Sequence, residues 1–217
     1  MKSQMEVTLR SWTVDPDLLA GEAACICTDF DSEYKALATA INSHHDSVME
    51  HCTFTFIIEG VSRVLMAQLT RHRIASFSVR SQRYVSYRDG FGYVIPPSIE
   101  ALGEEKVAQY EAQMEQMQKW YCGWCDDLGD QRKEDARFVL PNACETKIMV
   151  TMNARELNHF FNLRMCSRAQ WEIRAMADEM YRQAAEVAPL LFATAGPGCW
   201  STGCPESRPC KSPRERF

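Results

Sequence analysis

Apolar side chains recur at helical spacing from Ser32 to Asn42, where Tyr34, Leu37, Ala38 and Ile41 share one face and predict a first helix. Over Cys52 to Glu59 the period shortens to two. There Phe54, Phe56 and Ile58 alternate with Thr53 and Thr55, the pattern of a strand with one buried face. Val61 to Thr70 returns to helical spacing, with Ser62 available as a cap. Glu104 to Leu128 predicts a long helix rich in Gln, Glu and Met, Glu145 to Thr151 a further strand, and Ala154 to Met165 and Ser167 to Val187 a closing pair of helices. Strands and helices mix here without strict βαβ alternation. The expected class is therefore α+β or mixed α/β: a single domain with a central, mostly antiparallel sheet flanked by long helices.

Composition narrows this picture. A chain of 217 residues, 46% of them hydrophobic, can bury one sizeable core, and we expect a domain over residues 1–195. Residues 196–217 turn to Gly, Pro, Ser and Cys, and predict a tail that is mobile or tied to a partner. No apolar run approaches the roughly 18 residues that span a bilayer. The start Met1-Lys2-Ser3-Gln4-Met5-Glu6 lacks the basic-then-apolar order of an export signal, so a cytoplasmic location without a membrane partner is expected. In that setting the ten cysteines read as reduced thiols. A net charge of −5 argues against nucleic acid as a partner, because non-specific polyanion binding needs a basic face.

One segment runs against the acidic average. Arg71 to Tyr84 holds four arginines, three serines, a histidine and a glutamine directly after an apolar helix. Guanidinium forks match phosphate oxygens, and serine hydroxyls and loop amides can complete an anion cradle. A solvated basic turn has the same composition; the order of residues distinguishes the two. Arg71-His72-Arg73 followed, after seven residues, by Ser81-Gln82-Arg83-Tyr84 resembles the signature of the flavin-dependent thymidylate synthases. Other segments resemble that family in the same order: His44 to His51, Asp135 to Pro141, Asn153 to Leu157, Asn162 to Arg164 and Ala169 to Ile173.

The resemblance implies an enzyme that converts dUMP to dTMP, with methylenetetrahydrofolate as carbon donor and FAD carrying reducing equivalents from NADPH. The cofactor holds the difficult chemistry and the protein supplies orientation and electrostatics, so no protein nucleophile is required. Carried over residue by residue, the family pattern points to Arg164 as the group that polarises the uracil ring, a permanent cation beside a developing anion. It points to Gln68, Arg71, Arg80, Ser81, Gln82, Arg83 and Arg137 for the rest of dUMP. For FAD it points to Ser47, Glu50, Arg71, His72, Arg73, Ile74, Val79, Asn153, Arg155 and His159. Arg155 and His159 stand four apart and on a helix would face one ligand together. His45 matches a histidine near flavin and folate, for which the resemblance implies a catalytic role in the oxidative half-reaction, and Glu50 is either a site residue or an anchor for the segment carrying Ser47. The family assembles as a homotetramer with shared active sites.

The chain departs from the family pattern in places. Val79 stands where many members have glutamate, Arg168 where several have histidine, His159 where others have asparagine, and Cys25-Ile26-Cys27 where Arg with Ser or Cys is common. No metal site is expected. Cys122-Gly123-Trp124-Cys125 sits within a predicted helix without a second pair, and Cys199, Cys204 and Cys210 lack a fourth ligand. A non-catalytic nucleotide- or RNA-binding module built on Arg71 to Arg88 is the alternative.

Overall fold

The computed structural model describes residues 1–200, 203–210 and 213–216. In chain order the elements are β1 (Glu6–Trp12), α1 (Pro16–Ile26), α2 (Glu33–Asn42), β2 (Thr53–Ser62), α3 (Arg63–Leu69), β3 (Ala75–Val79), α4 (Pro97–Glu100), α5 (Glu104–Leu128), α6 (Lys133–Ala136), β4 (Glu145–Asn153), α7 (Ala154–Arg164) and α8 (Trp171–Val187). The four strands form one antiparallel sheet in the order β1-β2-β4-β3, and the class is α+β as the patterning predicts.

The two longest strands occupy the middle of the sheet and show the period expected of them. Phe54, Phe56 and Ile58 of β2 are buried, as are Thr146, Ile148, Val150 and Met152 of β4. On the opposite face Thr55 and Thr151 meet through their hydroxyls at 2.9 Å. Ser62 does cap α3, its Oγ accepting the Leu65 N–H at 3.1 Å. The helix expected from Ser167 starts later, at Trp171, because Gln170 folds back to accept the amides of Glu172 and Ile173 at 3.0 and 3.1 Å. Five of these elements are additions to the pattern: β1, α1, β3 inside the arginine-serine segment, and the one-turn helices α4 and α6.

Internal packing divides the chain into two compact units, and β2 and β4 contribute to both. The first comprises residues 1–6, 58–68 and 78–148. Its core gathers Tyr87, Phe91, Tyr93, Ile95, Met114, Tyr121, Cys125 and Cys144 under α5. Cys125 is thus a packing thiol, and Cys122 is packed against the same core.

The second unit comprises residues 7–57, 69–77 and 149–217. Helices α1 and α2 pack so closely that a Cβ on Gly21 would lie 2.6 Å from the Glu33 carbonyl oxygen, which explains glycine there. Beneath α7 the rings of Phe160, Tyr181 and Phe192 surround Phe161, each edge-on, with centroids 5.6–5.8 Å away. The described tail residues are anchored on this unit. Arg214 forks onto both carboxylate oxygens of Asp178 in α8 at 2.5 and 2.9 Å and donates to the Met165 carbonyl, while the Trp200 ring stands edge-on to Tyr181. Among the described tail residues, Arg214 and Trp200 thus rest on this chain's own helix α8. All ten cysteines carry free thiols.

Phe161→Ala empties the centre of this aromatic cluster. Chemical denaturation is expected to show a loss of about 3–5 kcal/mol, and a loss below about 1 kcal/mol would mean that the cluster does not seat α7.

Candidate active site

Strand β4 runs into α7 without a loop. Asn153, the last strand residue, caps the helix by accepting the Glu156 N–H at 2.8 Å, and the Ala154 N–H donates to the Cys52 carbonyl at 2.8 Å. Ala154, Leu157, Phe160 and Phe161 are buried, which leaves Arg155 and His159 exposed on one face, as their four-residue spacing predicts. Glu156 lies on the buried side and is only 7% exposed.

That carboxylate meets His72. The His72 ring, 5% exposed, places Nδ1 2.9 Å from Glu156 Oε1, while Arg164 Nε–H donates to His72 Nε2 at 3.1 Å. The His159 and Phe160 rings stand edge-on to it. An arginine only donates and a carboxylate only accepts, so the pattern assigns the neutral imidazole with its proton on Nδ1. Burial holds the His72 imidazole below its ordinary range; Glu156 opposes that shift, and Arg164 and His159 add to it. Burial likewise lowers Arg164, with the neighbouring Arg71 acting in the same direction.

Two cavities meet at this group. A smaller one of about 290 Å³ is lined by Arg71, His72, Arg73, Ile74, Glu156, His159, Leu163 and Arg164. A larger one of about 860 Å³ shares Ile74, Glu156 and His159 and adds Glu50, Asn153, Arg155, Asn162, His44, Asp46 and the chain around Gly196. At its rim Arg155 pairs with Glu50. The structure thus brings together the residues singled out in Arg71 to Ile74, in Asn153 to His159, and at Glu50 and Arg164. His45 and Ser47 are exposed, and from their segment His44, Asp46, Met49 and Glu50 line the cavity. His44 has a left-handed backbone, φ 56°, at the turn after α2. A third cavity, about 380 Å³, lies where Cys166, Arg168 and tail residues approach Arg164.

The remaining candidates belong to the first unit. Arg83 Nε pairs with Glu134 at 2.6 Å, which raises the guanidinium pKa, and Arg137 Nε donates to the Glu134 carbonyl at 2.9 Å. Glu134 therefore holds two of the proposed phosphate ligands. Ser81 Oγ accepts the Arg83 N–H at 3.2 Å, Arg80 lies over the Tyr87 ring, and Gln68 and Val79 are half-buried. Gln82 is buried, and its amide donates to Cys144 Sγ.

Sequence reasoning passed over Glu156, Glu134 and His44. Asn153 and Glu156 are spaced as in a capping box, which sends the glutamate back to the helix start. Here Asn153 caps, and Glu156 turns to His72 instead.

The model of the thymidylate synthase complementing protein family matches residues 8–190. A protein of Geobacter sulfurreducens named flavin-dependent thymidylate synthase is 48% identical over 215 residues, covering 93% of this chain and 91% of its own. Proteins of the same name from Clostridium tetani and Nitratidesulfovibrio vulgaris are 44% and 49% identical, over 93% and 88% of this chain and 91% and 78% of theirs.

The buried imidazole has a stability consequence. Its folded pKa lies below the ordinary value of 6.5, so the unfolded chain protonates first as pH falls. The stability contribution is complete above about 6.5 and is lost as pH falls toward the folded value. Glu156, Arg164, His159 and Arg71 stay in place in a His72→Gln variant. Between pH of about 7 and 5.5, the wild-type melting temperature is expected to fall further than that of the variant; parallel falls would contradict the assignment.

Proposed function

Because the chain belongs to the thymidylate synthase complementing protein family, whose relatives are named flavin-dependent thymidylate synthases, we propose that it converts dUMP to dTMP with FAD as its cofactor. The observation that carries this reading is the convergence of Arg71, His72, Arg155 and Arg164 on two adjoining cavities beside the start and end of one helix. The non-catalytic binding module is not favoured, since the relatives are named for an enzyme.

The larger cavity fits a flavin nucleotide. Its volume of about 860 Å³ falls within the upper part of the range for cofactor sites, and Arg155 in the first turn of α7 offers a cation to phosphate. We assign Ile74, Asn153, Arg155 and His159 of its lining to holding it, with Glu50 orienting Arg155; Arg73, Ser47 and Val79 are further flavin contacts on the family pattern alone. When bound, the flavin carries reducing equivalents drawn from NADPH, and methylenetetrahydrofolate supplies the carbon.

The chain's own part is electrostatic. Arg164, restrained by His72 and partly desolvated, presents a fixed cation to the uracil ring and stabilises negative charge at N3, which makes C5 electron-rich. Arg71 adds a second positive charge. In the first unit, Arg83 and Arg137 are the proposed phosphate ligands, with Ser81, Arg80, Gln68 and Gln82 as further dUMP contacts; ligand oxygens would exchange with Glu134 for Arg83. His45 is proposed to act near the folate.

We further propose a cytoplasmic homotetramer with shared sites and no nucleic-acid partner. Four large apolar side chains directly follow or precede site arginines and stay exposed: Ile74 (67%), Tyr84 (75%), Phe138 (83%) and Leu163 (45%). Apolar surface placed in that way suits coverage by another subunit. Among the described residues, no helix is long and apolar enough to cross a membrane.

Purified, FAD-supplemented protein is expected to form dTMP from dUMP with NADPH and methylenetetrahydrofolate. Arg164→Ala should lose about a hundredfold or more in kcat; no product from the wild type would overturn the reading. Arg155→Ala should weaken flavin binding by about tenfold in titrations followed at the isoalloxazine bands, since a charge-assisted contact is lost. Light scattering should return four times the 24.8 kDa chain mass, and a single-chain mass would remove the shared-site proposal.

A further inference from the structure

We propose that Glu156 is a positioning residue for Arg164, acting through His72: its carboxylate fixes the imidazole tautomer, and the tautomer fixes the guanidinium. The proposal rests on the functional reading above and deepens it, because Arg164 is the group assigned to the uracil ring.

A buried carboxylate in the first turn of a helix is costly unless it is hydrogen-bonded. Glu156 has an obvious local partner in the helix start, yet its Oε1 lies 2.9 Å from His72 Nδ1, with 8% and 3% of the two side chains exposed. A carboxylate accepts, so Nδ1 carries the proton and Nε2 keeps its lone pair. That lone pair accepts Arg164 Nε–H at 3.1 Å. With the proton on Nε2 instead, two N–H donors would face each other across that gap. The choice made at Glu156 is therefore transmitted through the ring to Arg164.

Anchoring Nε matters for a planar group. Delocalisation makes the guanidinium rigid, so a fixed Nε restricts the plane in which both Nη atoms lie. The constraint also works against a load, because Arg71 is close enough to disfavour the charge on Arg164. The edge-on rings of His159 and Phe160, with centroids 5.9 and 5.0 Å from His72, brace the imidazole between the two charges. The logic is that of a buried acid that orients a histidine for a third group, with an arginine in the place of the reacting partner.

The decisive variant is Glu156→Gln, which keeps the shape but has an amide that can donate as well as accept. In ¹⁵N-histidine-labelled protein, with His72 identified by the signal lost in His72→Gln, the wild type should show a protonated Nδ1 and an unprotonated Nε2; the Glu156→Gln variant should show mixed tautomers. Its kcat should fall about ten- to a hundredfold, with KM for dUMP changed by less than about threefold. In the Arg164→Ala background the same substitution should cost less than about threefold more, since its route of action is already gone. An Nε2-protonated wild type, an unchanged kcat, or fully multiplicative losses in the double variant would each overturn the proposal. If the wild type forms no dTMP, the functional reading fails by itself, and the tautomers then decide whether Glu156 orients His72.

Discussion

Much of the site hangs on one junction, the handover from β4 to α7. A helix start leaves its first amides without partners, and here Asn153 supplies one while the Cys52 carbonyl takes another. With both satisfied, the helix leaves the sheet in one direction only. Phe161 and its surrounding rings then fix its rotation. Once direction and rotation are set, Arg155, His159 and Arg164 are aimed, and Glu156 is pressed inward where only a hydrogen-bonding partner makes its burial tolerable.

The electrostatics of the molecule separate two scales. A net charge of −5 keeps the chain as a whole repulsive to polyanions, while Arg71, Arg73, Arg155 and Arg164 gather around adjoining cavities. The small anionic ligand proposed above suits that arrangement. Glu50 and Glu134 each hold a cation before ligand arrives, which keeps the guanidinium groups ordered. At Arg164 the neutral His72 does the same task without adding a competing negative charge.

How much of this was legible in the sequence depends on what each element buries. The strands β2 and β4 and the helices α5 and α7 bury large apolar residues, and the pattern located all four; it located α2 too, but there Ala36, Leu37, Ala40 and Ile41 are buried while Tyr34 of the expected face is exposed. Strand β1 buries only Val7, and β3 buries none of its side chains fully, so neither carries a strong two-residue period. Helix α1 turns Pro16, Ala20, Gly21 and Ala24 inward, small groups that leave little hydropathy signal. Among candidate site residues, Arg155 and His159 were readable because helical spacing pairs them, and Arg71 to Ile74 because they are contiguous. Glu156 was not, since a glutamate in a first helical turn is ordinarily a solvated partner of the helix dipole; only the approach of His72, 84 residues away in sequence, gives it another role.

The chain from Glu156 through His72 to Arg164 also limits how this site can evolve. Acceptor meets donor at both gaps, and changing one member's character sets like against like at the next. A glutamate replaced by a donor asks for the opposite tautomer, which in turn asks for an acceptor where Arg164 stands. On the proposed coupling, restoring donor-to-acceptor matching after such a change would take a second, coordinated substitution. The three positions would then constrain one another through buried and part-buried contacts, whereas the Arg155–Glu50 pair is exposed and its contact is weakened by water.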